Sequence, residues 1–167
     1  MVITKTRKDL KPFLMDPKAE GVVEPYFLIK VDEQVIFALP HGLNGLEFNK
    51  TEGFLTSLKG VQLYQCLYGT GIMLLQRNIE GGEAKEFKVI TLNPGRKVGV
   101  PAGWLSALVN IGKSFLVVLS NFDLDFKAGK KWVKEKRGFA YWVLEKKGEV
   151  AFEQNPNYRV HPQITTE

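Results

Sequence analysis

From Val61 to Ser120 the chain is cut at short intervals by glycine and proline turns and shows no helical period. This punctuation narrows the available folds more than any other feature. Val61 to Tyr68 alternates, with Gln62, Tyr64, Cys66 and Tyr68 on one face and Val61, Leu63, Gln65 and Leu67 on the other, the period of two expected of a strand. Gly69-Thr70-Gly71 predicts a turn, Ile72 to Arg77 a return strand, Glu80 to Glu83 around Gly81-Gly82 a hairpin turn, and Glu86 to Leu92 the next strand. Asn93-Pro94-Gly95 is a strong turn signal, because proline presets one backbone angle and glycine accepts the left-handed one after it. Val98 to Pro101 runs into a glycine-containing corner, Leu105 to Ile111 leaves it, and Ser114 to Ser120 reads as the most buried strand. Short strands at this spacing argue an all-β barrel or sandwich.

The flanks add to this pattern. Val22 to Val31 and Gln34 to Leu39 predict a hairpin about Asp32-Glu33, and Ala140 to Leu144 with Glu149 to Glu153 predict another about Lys146-Lys147-Gly148. Gly129 to Lys136 is the one stretch with helical character. Residues 1–20, with Pro12 and Pro17, read as an irregular arm that adds a short edge strand, and Leu46 to Gly60 resolves into neither strand nor loop. No linker-like run divides the 167 residues, so a single domain over 1–167 is expected.

Composition excludes several classes. Hydrophobic residues at 44% and charged residues at 25% argue against disorder and a coiled coil. No apolar run approaches a membrane span, and the N-terminus lacks the apolar stretch of a secretory signal, so a cytoplasmic protein without membrane contact is expected. A single cysteine, Cys66, excludes an internal disulfide and thiolate zinc sites, and reads as a small apolar strand residue. The net charge of +5 permits contact with nucleic acid or acidic ligands. The basic residues are spread along the chain, however, with one excess from Lys127 to Arg137 that, with Trp132 among its cations, could close over an anionic ligand but reads first as a solvated helix.

The spacing Pro101-x-Gly103-x-x-Ser106-x-x-x-Asn110 resembles the second motif of the cupins, with Ser106 where their metal-binding histidine stands. Further stretches resemble the cupin-type glucose-6-phosphate isomerases. These are Gly45-Leu46-Glu47-Phe48 with Thr51-Glu52-Gly53, Leu67 to Gln76, Asn93 to Gly95 through Val109 to Gly112, and Lys136 to Phe139 with Gly148 to Pro156. The likeness covers about residues 45–158. It implies a cupin double-stranded β-helix, a jelly-roll barrel of two facing antiparallel sheets with little helix.

Members of that family hold a divalent metal with a His-x-His pair, a Glu on the following strand and a third His from the corner. In this chain the Glu position is Gln62, the corner is Ser106, and the pair falls on Gly53 and Leu55 or on Phe54 and Thr56. Neither register supplies a histidine, so no metal and no cofactor are expected, since hydroxyls and amides hold a transition metal poorly. Between Phe54 and Ser120 there is no His and no Asp, and glutamate occurs only at Glu80, Glu83 and Glu86. His41 and His161 lie in proline-flanked loops and are expected to face solvent.

By the same resemblance Tyr64 matches an active-site tyrosine, and Thr51 and Gly53 match positions near the substrate phosphate. Gln62, Tyr64, Trp104 and Ser106 could together hydrogen-bond and stack against a polyol, with Lys59 meeting a phosphate as a point charge. The expectation is a metal-free cupin that binds a small polar ligand such as a sugar phosphate without turning it over. One alternative is an active sugar-phosphate isomerase or epimerase with a rebuilt site, using Tyr64, Lys59 or His41 as acid and base. Another is a structural or nucleic-acid-binding module that uses the positive charge. Family members are commonly homodimers, which implies the same here, with the N-terminal arm and first hairpin as dimer elements.

Overall fold

The computed structural model describes residues 1–56, 61–80, 82–121 and 130–167. The strands are β1 (Val2–Lys5), β2 (Tyr26–Val31), β3 (Gln34–Leu39), β4 (Leu43–Asn44), β5 (Glu47–Phe48), β6 (Phe54–Leu55), β7 (Gln62–Tyr68) and β8 (Gly71–Asn78). They continue with β9 (Ala84–Leu92), β10 (Lys97–Val100), β11 (Leu105–Asn110), β12 (Leu116–Ser120), β13 (Tyr141–Lys146), β14 (Glu149–Gln154) and β15 (Ile164–Thr166). The helices are short: α1 (Arg7–Leu10), continued by a 3-10 turn over Lys11–Phe13, and α2 (Lys130–Glu135). No helix among the described residues is long and apolar enough to cross a membrane.

Two sheets face one another across the barrel. The first runs β1-β2-β3-β12-β7-β10 and the second β15-β9-β8-β11-β6. All their pairings are antiparallel except β15 with β9. From β7 to β12 the chain crosses between the sheets repeatedly, and the glycine and proline signals sit at the crossings. Gly69-Thr70 is therefore a corner and not the hairpin turn expected, because β7 pairs with β10 and β12 while β8 pairs with β9 and β11. Gly69 has φ +87° and leaves no room for a Cβ against the Phe115 carbonyl, a position only glycine fills without strain.

A third sheet, β14-β13-β5-β4, departs from the two-layer expectation. It packs on the outer face of the second sheet, so the central strands β8 and β11 are buried on both sides. Met73, Leu75, Ile90, Leu92 and Leu108 point into the barrel core, while Ile72, Leu74, Val89, Ala107 and Val109 meet Phe139, Tyr141 and Val143 in a second core. This explains the unbroken apolar run of β8, since a strand covered on both faces has no reason to alternate.

The N-terminal arm closes that second core with Leu10, Phe13 and Leu14, each about 1% exposed. Its helix starts at a capping box: Thr6 N donates to Asp9 Oδ2 at 2.9 Å and Asp9 N to Thr6 Oγ1 at 3.4 Å. Glu47 and Lys50 anchor the arm from below. Met15 N donates to Glu47 Oε1 at 2.9 Å, Lys50 Nζ donates to Phe13 O at 2.7 Å, and the two side chains form a buried ion pair at 2.6 Å. Leu46 to Gly60, unassigned from sequence, carries β5 and β6, each only two residues long.

Candidate functional site

β6, β7, β11 and β12 bring Thr56, Gln62, Tyr64, Ser106 and Ser120 together inside the barrel. Each is at most 2% exposed. The Tyr64 hydroxyl and Ser106 Oγ are 3.1 Å apart, Gln62 Nε2 donates to Ser120 Oγ at 3.2 Å, Thr56 Oγ1 donates to Gln62 Oε1 at 3.4 Å, and Ser106 Oγ reaches Phe54 O at 3.5 Å. Buried polar groups need partners, and these find them in one another. Burial, only partly offset by the Ser106 and Gln62 hydrogen bonds, holds the Tyr64 phenol far above its ordinary range. It is therefore held as the neutral hydroxyl.

The strand period decides between the two His-x-His registers. Phe54 belongs to the barrel core and Thr56 reaches Gln62, whereas Leu55 packs against the second core on the opposite face. The positions converging with Gln62 and Ser106 are thus Phe54 and Thr56. Phe54 fills its place as an aromatic, 5.6 Å from the Phe37 ring and 6.5 Å from the Tyr26 ring, centroid to centroid. A divalent metal does not fit this donor set. It offers an amide, hydroxyls and a phenyl where imidazoles and a carboxylate are required, and the described residues contain no cluster of three metal-ligating side chains.

The side chains of the other predicted residues lie outside this group, although the Trp104 carbonyl accepts from Thr56 N at 3.0 Å. Thr51 is fully buried and spends its hydroxyl accepting from Leu108 N at 3.0 Å. Gly53, with φ +125°, lies beneath Phe139, whose ring a Cβ would meet at 2.9 Å. Trp104 stands at a separate cavity of about 200 Å³ lined also by Lys88, Arg96 and Lys97, with Lys88 Nζ 5.3 Å and the Arg77 guanidinium 6.0 Å from its ring. Lys59 and residues 127–129 of the basic run lie outside the described residues, as does Gly81 of the hairpin turn. Cys66 is buried among the apolar residues of the barrel, which pushes its thiol up. His41 is exposed, but His161 is half-buried, its Nε2 2.7 Å from Asn155 O, so the expectation that it faces solvent is corrected.

Sequence reading missed Glu52. Its carboxylate is about 1% exposed, Lys130 Nζ lies 2.6 Å from Oε2 at angles short of a hydrogen bond, and Oε1 has no hydrogen-bond partner among the described residues. It lines a groove of about 640 Å³ between α1 and α2. Nothing in the local run Thr51-Glu52-Gly53 marks this burial, which arises from packing against Lys130 far along the chain.

A model of the glucose-6-phosphate isomerase family matches residues 31–161. The chain belongs to the glucose-6-phosphate isomerase family. The glucose-6-phosphate isomerase of Pyrococcus furiosus is 36% identical over 119 residues, which span 71% of this chain and 60% of that protein. The enzyme of the same name from Pyrococcus abyssi is 31% identical over 172 residues, covering 94% and 88%. This is the cupin branch of glucose-6-phosphate isomerase, in keeping with the crossing strands of the two facing sheets. Among solved structures, the Drosophila melanogaster CENP-C cupin domain aligns with a TM-score of 0.43 and 9% identity over 62% of this chain and 74% of that one. A predicted oxalate decarboxylase from Thermotoga maritima aligns with a TM-score of 0.44 and 13% identity over 72% and 87%.

Proposed function

We propose that this chain is a metal-free member of its family that binds a small polar ligand such as a sugar phosphate without isomerising it. The observation that carries the reading is the barrel interior. Phe54, Thr56, Gln62 and Ser106 stand together at the positions where the family's metal ligands would converge, and the polar ones hydrogen-bond to Tyr64, Ser120 and each other. Aldose–ketose isomerisation needs a proton acceptor of suitable pKa within hydrogen-bond reach of the substrate. Neither the hydroxyls and amide of this cluster nor a phenol held protonated supplies one.

The test combines metal analysis, an isomerase assay and thermal shift on purified protein. The expected outcome is no stoichiometric divalent metal, no conversion of glucose 6-phosphate to fructose 6-phosphate, and a raised unfolding temperature with glucose 6-phosphate. A ligand at 100 times its dissociation constant adds about 2.7 kcal/mol. One bound metal per chain that supports turnover overturns the reading.

We also propose that the chain is a homodimer joined through the outer face of the first sheet. Val2, Ile29, Ile36, Leu119 and Gln65 form one cross-strand row on that face, and Thr4, Phe27, Ala38, Val117 and Tyr68 form the next. Neither row carries a charge until Lys97 follows Gln65 at the edge. Broad apolar faces of this kind mark interaction surfaces. A second copy related by a twofold axis meets it with the same uncharged face, so no like charges oppose.

A further inference from the structure

The groove between α1 and α2 has chemistry that the barrel lacks. Among the described residues its walls carry Lys8, Lys130, Lys131 and Lys134, with Asp9 and Glu52 as the acids. Asp9 is already engaged by the Thr6 backbone and hydroxyl at 2.9 and 3.0 Å. Lys130 meets Glu52, and Lys131 lies 4.0 Å from the exposed Glu135, a contact worth little in water. Lys8 and Lys134 have no ion pair among the described residues. The groove therefore presents a surplus of ammonium groups over about 640 Å³, with Glu52 Oε1 an unpartnered, buried acceptor.

A buried acceptor without a donor is costly, and its neutralisation by Lys130 means that it lacks a hydrogen-bond donor more than it lacks a second cation. The Tyr26 hydroxyl, buried near the Glu52 backbone, makes no hydrogen bond to Glu52 Oε1. We propose that this groove is a second ligand site, outside the barrel, for a phosphorylated polyol. The phosphate rests among Lys8, Lys131 and Lys134, and the Glu52 carboxylate, closed off at about 1% exposure, swings its Oε1 outward to accept from a hydroxyl of the same molecule. The two halves of the site select together. A bare phosphate satisfies the lysines and leaves Glu52 unmet, and an unphosphorylated sugar reaches Glu52 without the charge that holds it. The choice of probe rests on the sugar-phosphate reading above; the location rests on the groove alone.

The experiment is calorimetric titration of the full chain with glucose 6-phosphate, inorganic phosphate and glucose, repeated on the Lys131→Gln/Lys134→Gln double variant and on Glu52→Gln. The wild type is expected to bind glucose 6-phosphate at least about tenfold tighter than inorganic phosphate. The double variant is expected to lose about tenfold or more for glucose 6-phosphate. Its substituted side chains are at the surface, so its unfolding midpoint should stay at the wild-type value. Glu52→Gln should erase the preference for glucose 6-phosphate over inorganic phosphate. Because that change also leaves Lys130 unpaired, the double variant decides the matter. Wild-type binding that the double variant retains in full overturns the groove and leaves the sugar-phosphate reading standing. A wild type that binds none of the three probes overturns that reading, and the groove proposal with it.

Discussion

Removing the Tyr64 hydroxyl is expected to cost about 1 kcal/mol, the net worth of one buried hydrogen bond. The loss is modest because Ser106 Oγ keeps a contact with Phe54 O. Urea unfolding of Tyr64→Phe against wild type measures it, and a loss above about 3 kcal/mol would mean that the phenol anchors more than its neighbour. A second tyrosine predicts a pH dependence. Tyr158 receives a hydrogen bond from Gln76 at 3.1 Å and donates to Gly138 O at 2.8 Å, and burial pushes its phenol up to about 12. Its folded pKa is raised, so the stabilisation is complete below the unfolded value near 10 and is lost as pH rises from there through about 12. About two pKa units correspond to roughly 2.7 kcal/mol at the upper end. Unfolding midpoints for wild type and Tyr158→Phe, measured from pH 9 to about 12, should converge as the pH rises.

At the scale of elements, the buried Glu47–Lys50 pair fixes the N-terminal arm to the third sheet. Lys50→Met leaves the Glu47 carboxylate buried with Met15 N as its one remaining donor among the described residues, and such unpaired charges cost about 3–5 kcal/mol. The capping box is a milder device, and Thr6→Ala should cost about 1 kcal/mol. Chemical denaturation ranks the two, and an order reversed from this would count against the arm being held mainly from below. Which elements were legible from sequence follows from the range of their contacts. The hairpins β2–β3, β8–β9 and β13–β14 announce themselves by β-branched, apolar and aromatic runs bounded by turn residues. β4 and β5 do not, because each is two residues long, and the β5–β13 pairing of Glu47 with Leu144 spans nearly a hundred residues. The capping box from Thr6 to Asp9 was readable but was masked by two prolines nearby. At the site, the positions of Gln62, Tyr64 and Ser106 could be read from motif and period. The separation of Trp104, and the burial of Glu52 against Lys130 on a distant helix, are properties of packing that no local pattern carries.

For the whole molecule, the outer face of the first sheet, uncharged apart from Lys97 at its edge, sets the expected assembly. Introducing a lysine at its centre, as in Ile36→Lys or Leu119→Lys, places like charges near one another across a twofold contact and should convert a dimer to a monomer in sedimentation analysis. A wild-type protein that sediments as a monomer at all concentrations would remove the interface. The sheet behind that face has a different fate. Because β8 and β11 lie between two cores, neither can shed a neighbour without opening a layer on one side or the other. Local fraying is therefore closed to them, and their amide hydrogens should exchange with solvent only when the entire chain opens. The edge strands β1 and β14 should exchange far earlier, so the time course of deuterium uptake would trace the layers of the molecule from the outside inward.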